Sequence, residues 1–225
     1  MRVLVACEFS GVVRRAFAAR GHDAWSCDLL PSEDRSNQHI IGDARDYLDD
    51  GWDLLIVAHP PCTRLCKSGL RWLHAPPNGR TLDSMWRELD DAAALFSAFW
   101  TAPIERVCVE NPRMHRHAQQ RIVNWQPPTQ IVQPWQFGHG ETKATCLWLR
   151  NLPPLVPTDI VDGRAERVHR ATGWGRHAAT RWRERSRFYP GIAEAMADQW
   201  GDLGDESPMV AHRRHRFAEL MTGLD

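Results

Sequence analysis

Short apolar runs alternate with stretches long enough for helices, and three of these runs end in chemically loaded residues. Val3–Cys7 leads into Glu8-Phe9-Ser10-Gly11, Leu54–Ala58 into His59-Pro60-Pro61-Cys62, and Val107–Val109 into Glu110-Asn111-Pro112. Strands alternating with helices imply an α/β fold with a mostly parallel central sheet and helices on both faces. In such a sheet ligands bind at the carboxyl ends of the strands. The spacing therefore predicts that the Cys62 thiol and the Glu110 carboxylate share a cleft. A thiolate nucleophile with a partnering acid is a means of activating an unreactive ring.

The pattern predicts strands over 2–7, 23–27, 53–58, 105–109, 128–134 and 144–150. Helices are expected over 11–20, 44–48, 84–101, 115–124 and 192–200, with a long polar loop over 62–83. Residues 1–150 read as one α/β unit, 151–187 as a short irregular basic region, 188–203 as a helix returning to that unit and 204–225 as a polar tail. A chain of 225 residues suffices for one such domain with a sizeable core. No run of apolar residues is long enough to span a bilayer, and no charged-then-apolar leader precedes the first strand, so no membrane partner is expected. Six scattered cysteines suit a reduced, cytoplasmic protein.

The net charge is zero but unevenly spread. Residues 1–60 hold 6 basic against 10 acidic side chains, whereas residues 164–187 hold 8 arginines against 2 glutamates, interleaved with Trp174 and Trp182. Such a stretch suits phosphate contact and base stacking; the plainer reading is a solvated basic face.

Pro60-Pro61-Cys62 followed by Glu110-Asn111 resembles motifs IV and VI of the DNA cytosine-5 methyltransferases. Phe9-Ser10-Gly11, between a short strand and a helix, is similar to the motif I turn with which that family cradles S-adenosylmethionine. The resemblance spans roughly residues 1–200. It implies a Rossmann-like S-adenosylmethionine-dependent methyltransferase fold with a small irregular recognition region. The implied activity is methyl transfer to carbon 5 of cytosine in DNA, with a short or weak sequence preference of the kind that would suit a phage enzyme.

The resemblance assigns roles to particular residues. Cofactor contacts fall on Phe9, Ser10, Gly11, Asp28, Asp43 and Pro60. Asp28, just past a strand, is placed to accept from ribose hydroxyls. Asp43 matches the motif III acid, and it also reads as an N-cap to a short helix. Cys62 is the nucleophile toward carbon 6, Glu110 the group at ring nitrogen 3, and Lys143 a retained positive charge. Pro61, Asn111, Glu141 and Thr145 fall beside the substrate. Glu141, Lys143 and Thr145 stand where the family has a Gln-x-Arg-x-Arg pattern, so Thr145 replaces a base-contacting arginine. Val12 and Val13 stand where many members have glycines.

A target base must be flipped out of its duplex. The 62–83 loop, with Arg64, Lys67 and Arg71 for charge and Gly69 and Gly79 as hinges, fits the mobile loop that covers the flipped base in the family. Arg181 and Arg183 are the expected phosphate contacts of the basic region. Other readings stand beside this one. The same chemistry could act on a free deoxycytidine nucleotide, or use a modified adenosyl donor. The chain could be a non-catalytic DNA-binding protein. Cys62 and Cys66 could be a redox pair or two metal ligands, although no second cysteine pair completes a zinc pattern.

Overall fold

The computed structural model describes residues 1–166 and 187–203. Arg181, Arg183, both tryptophans of the basic stretch and the 204–225 tail lie outside the described residues.

Seven strands form one sheet in the order β3-β2-β1-β4-β5-β7-β6. They are β1 (Arg2–Ala6), β2 (Asp23–Asp28), β3 (His39–Ile41), β4 (Leu54–Val57), β5 (Arg106–Asn111), β6 (Gln130–Val132) and β7 (Thr145–Arg150). β1 pairs in parallel with β2 and β4, and β4 pairs in parallel with β5. β7 runs antiparallel to both β5 and β6. Leu54–Val57 and Val107–Val109 are fully buried, which is why these strands read as continuous apolar runs: helices cover both sides of a parallel sheet. β7 reverses because residues 133–144 contain a single 3-10 turn (Pro134–Gln136) and no crossover helix. A parallel return would need one.

Helices α1 (Val12–Ala18) and α4 (Pro190–Gly201) cover one face, burying Phe17, Ile192, Met196 and Trp200 against Val3, Val5, Leu54 and Ile56. Helix α2 (Leu82–Trp100) covers the other, burying Met85, Leu89, Phe96 and Phe99 against Leu55, Val57 and Val107. Thr81 and Ser84 cap α2 reciprocally, each side chain accepting from the other's backbone N–H. No helix among the described residues is long and apolar enough to cross a membrane.

Four local expectations are corrected. No strand is expected between the strand over 23–27 and the helix over 44–48, yet edge strand β3 lies there, its three residues carrying too little pattern to be seen in sequence. The 44–48 helix is a 3-10 turn over Ala44–Tyr47. The 115–124 helix shrinks to α3 (Arg116–Gln119), since only Ala118 and Ile122 reach the core and Asn124 leaves helical space at φ 53°. The polar loop holds a 3-10 helix over Lys67–Leu73, pinned by buried Leu65 and Leu73.

Trp148 locks β7 to α2. It is 1 % exposed, meets Phe96 edge-on at 5.2 Å between centroids, and donates its indole N–H to the Gln126 carbonyl at 2.8 Å. Replacing Trp148 with Ala is expected to cost about 3–5 kcal/mol in urea unfolding. A loss below about 1 kcal/mol would mean that the face relaxes around the gap.

Candidate functional site

Parallel strands deliver their carboxyl ends to one edge of the sheet. β1 ends at Cys7-Glu8-Phe9, β2 at Asp28, β4 at His59-Pro60-Pro61-Cys62, and β5 at Glu110-Asn111, which lie inside the strand rather than after it. Because β7 is antiparallel, its first residue, Thr145, arrives at the same edge, directly after Lys143 and Ala144.

A cavity of about 890 Å³ opens beside the point where strand order reverses between β1 and β4. Its walls include Cys7, Phe9, Leu30 and Phe99, with Asp28, Asp43 and Glu88 as acids, and Pro61, Thr63 and Arg64 from the chain after β4. Asp28 accepts from the Leu30 N–H at 2.9 Å, and burial raises its pKa. Asp43 both lines the cavity and caps the 3-10 turn, accepting from the Arg45 N–H at 3.0 Å; the Arg45 guanidinium lowers its pKa. The cap reading and the cavity reading of Asp43 therefore hold together.

Ser10 and Gly11 form the turn between β1 and α1, with Gly11 at φ 67°. This left-handed backbone favours glycine, and a Cβ there would also have to displace the Arg14 guanidinium, 2.5 Å away. Arg14 and Arg15 both reach over this turn to Asp34, Arg15 at 2.6 Å. Burial pushes the Asp34 carboxyl up, but bonds from Ser32, Arg15 and Arg14 outweigh it and hold the carboxyl well below the usual range. The segment carrying Asp34 is fixed again where Glu33 meets Arg187 at 2.9 Å.

Glu8 is fully buried, and its carboxylate accepts from the N–H groups of Val13 at 2.7 Å and Arg14 at 3.1 Å, joining β1 to the first turn of α1. Burial nevertheless pushes its pKa up to about 7.

A second, narrow pocket lies on the α4 side, lined by His59, Glu110, Lys143, Thr145, Arg187, Phe188, Tyr189 and Ile192. His59 lines both cavities. Its ring stands 5.6 Å from Phe188, its buried Nε2 has no hydrogen-bond partner among the described residues, and burial, then Lys143, lower its pKa to about 3. It is therefore neutral at physiological pH. Burial raises Glu110 to about 7 against the pull of Lys143, so near neutrality it is a proton donor as well as an acceptor. Thr145 is buried and donates to the Lys143 carbonyl at 3.1 Å. Tyr189 donates its hydroxyl to Glu141 at 2.9 Å.

Cys62 stands on the turn between Pro61 and Thr63. It feels the charges of both Glu110 and Lys143, and burial together with a hydrogen bond to Cys66 pushes its thiol up. Pro60 is buried and lines neither cavity, whereas Pro61 walls the large one. Asn111 is fully buried on the opposite face of β5 from Glu110, and its amide has no hydrogen-bond partner among the described residues.

The loop basics serve other ends. Arg64 meets Glu88 at 2.7 Å, and Arg80 pairs with the same carboxylate. Arg71 lies over Trp72 at 4.2 Å, and both it and Lys67 are exposed. Gly69 is no hinge: a Cβ would overlap the Thr63 carbonyl oxygen. Among the described residues no cluster of three or more His, Cys, Asp or Glu side chains is arranged to hold a metal ion.

Glu8, His59 and Tyr189 are the site residues that sequence reasoning missed. The signals were faint: an acid three residues before a helix-opening glycine, a histidine before two prolines, and an aromatic pair before the last helix. No family model matches the chain, and none of the curated proteins matches it.

The buried glutamates make stability depend on pH. Glu8 titrates near 4.5 when unfolded and near 7 when folded. Its contribution is thus fully present below about 4.5 and is lost as pH rises through about 7. Glu8→Gln should flatten the fall in unfolding free energy across this window by on the order of 3 kcal/mol. An unchanged slope would mean that Glu8 ionises normally.

Proposed function

We propose that the protein is an S-adenosylmethionine-dependent methyltransferase acting on carbon 5 of cytosine in DNA. The observation that carries this reading is the meeting of Cys62, Glu110 and Lys143 at one sheet edge, next to a cavity of about 890 Å³. A thiol, a carboxyl near neutrality and a fixed cation are the groups that an unreactive pyrimidine needs for addition at carbon 6.

The large cavity suits the cofactor. Phe9 and Phe99 offer apolar walls, the Ser10-Gly11 turn lies beside it, and Asp28 and Asp43 offer acceptors for hydroxyl and amino hydrogens. When bound, S-adenosylmethionine supplies an electrophilic methyl group. Asp28, kept partly desolvated, is the stronger candidate for a sugar hydroxyl, because Arg45 already occupies much of Asp43.

Glu110, from the wall of the narrow pocket, holds a proton for ring nitrogen 3 while the sulfur of Cys62, which lines neither cavity, passes its own proton to the neighbouring Cys66 sulfur and bonds to carbon 6. The electron pair displaced by that attack makes carbon 5 nucleophilic. Lys143 lowers the cost of charge on both Cys62 and Glu110. His59, neutral and shared by both cavities, borders the path between donor and base, where a proton must leave carbon 5 before the Cys62 sulfur is released. Phe188 and Ile192 exclude water from this pocket.

A second reading, with a free deoxycytidine nucleotide as substrate, is favoured by one observation. Glu88 already pairs Arg64 and Arg80, which removes two loop cations from ready contact with a DNA backbone.

The test incubates the protein, S-adenosylmethionine and DNA bearing 5-fluorocytosine, and looks for a denaturant-stable adduct. Fluorine cannot leave as a proton does, so the Cys62 sulfur should stay bound to carbon 6. Cys62→Ser should abolish the adduct. Glu110→Gln should slow its formation about 10²-fold or more, and the wild-type rate should decline as pH rises through about 7, where Glu110 loses its proton. If DNA gives no adduct while 5-fluorodeoxycytidine nucleotide does, the second reading replaces the first. No adduct with either, from protein that binds S-adenosylmethionine, would overturn both.

A further inference from the structure

Cys62 and Cys66 are free thiols that share one turn of the folded chain. The N–H groups of Leu65 and Cys66 both donate to the Cys62 carbonyl at 3.0 Å, closing a single turn that sets the two side chains on the same side. Their thiols are in hydrogen-bond contact.

Their surroundings differ. Cys66 opens the 3-10 helix over Lys67–Leu73; its carbonyl accepts from the Gly69 N–H at 3.0 Å, and its sulfur lies 3.0 Å from the Ser68 hydroxyl. The Cys62 thiol first, and then the Ser68 hydroxyl, favour the Cys66 thiolate against burial. Cys62 keeps the shared proton, facing the carboxyl of Glu110. Both residues are partly open to solvent. Cys27, Cys108 and Cys146 are buried, and burial raises the pKa of these three and of Cys7. A half-exposed thiolate beside a second thiol is the environment in which oxidation is selective.

We propose that Cys66 and Cys62 form a reversible oxidation site, in which Cys66 reacts with a hydroperoxide and Cys62 resolves the product as a Cys62–Cys66 disulfide. The Cys66 thiolate attacks the peroxide oxygen; the sulfur–oxygen bond forms, the oxygen–oxygen bond breaks, and a proton taken up releases water. Cys66 sulfur is oxidised to a sulfenic acid and the peroxide is reduced. The Cys62 sulfur then attacks the Cys66 sulfur, and the hydroxyl leaves with the Cys62 proton as a second water. Reduction by a dithiol reverses the step.

The oxidation stands on the geometry of the pair alone. Its consequence, that oxidation removes the nucleophile, rests on the role proposed for Cys62.

The test exposes the full-length protein to graded hydrogen peroxide at neutral pH, blocks remaining thiols, and maps tryptic peptides. Trypsin cuts after Arg64, so Cys62 and Cys66 fall on separate peptides that only the disulfide joins. We expect that joined pair, the loss of two of the six thiols, and full recovery with dithiothreitol. In Cys62→Ser, dimedone should capture a sulfenic acid on Cys66. In Cys66→Ser, peroxide consumption should slow at least tenfold. Six thiols left unreacted, or a sulfenic acid on Cys62 formed as fast in Cys66→Ser as in wild type, would overturn the proposal. Loss of 5-fluorocytosine adduct in step with disulfide, and its return on reduction, ties the switch to Cys62. A disulfide that forms in protein giving no adduct under any condition leaves the oxidation site standing and removes only the catalytic reading.

Discussion

β1, β4 and β5 are buried on both faces, and that burial constrains everything else in the molecule. A strand whose side chains all meet hydrocarbon has no place along its length for a charge or a lone polar atom. The polar residues of these strands are therefore driven to where they end, and parallel pairing puts those ends on one edge. Glu8, Asp28, His59, Cys62 and Glu110 gather there without any element designed around them. The antiparallel β7 extends the rule by bringing its own start, with Lys143 and Thr145, to the same edge.

Burial at that edge also sets the chemistry. Glu8 and Glu110 both titrate near neutrality for want of water, yet their settings differ. Glu8 spends both oxygens on the backbone of α1 and so joins strand to helix. Glu110 faces a pocket beside a lysine. The same elevation of pKa thus belongs to a structural joint in one place and to a pocket wall in the other, and only the partners tell them apart.

What could be read in the sequence follows from the range of the forces involved. Pro60-Pro61-Cys62 and Glu110-Asn111 are legible because an apolar run and its polar end are adjacent in the chain. Asp28 and Asp43 are legible as strand-end and cap positions, and both line the large cavity. His59 and Tyr189 are illegible because the pocket that gives them meaning is assembled from β4, β5, β7 and α4. Strand β3 is too short to carry a pattern and depends on the edge of β2. Gly69 misleads for the same reason: the carbonyl that forbids a side chain there belongs to Thr63, and only the folded loop reveals the contact. The Cys62 and Cys66 spacing is visible in sequence, but the difference between the two sulfurs comes from the folded loop, which sets Cys66 beside the Ser68 hydroxyl and Cys62 toward Glu110.

Arg187 and the helix that follows it have a consequence for how the protein is made. Phe188, Tyr189 and Ile192 wall a pocket whose other residues lie before position 146, α4 packs on α1, and Arg187 holds Glu33 across 154 positions of chain. A ribosome releases the chain from its first residue onward. The large cavity can thus take shape while the last quarter is still unwritten, whereas the narrow pocket has no outer wall until α4 emerges. The protein acquires these two cavities at different times during synthesis, and the one holding the buried carboxyl and lysine is completed last.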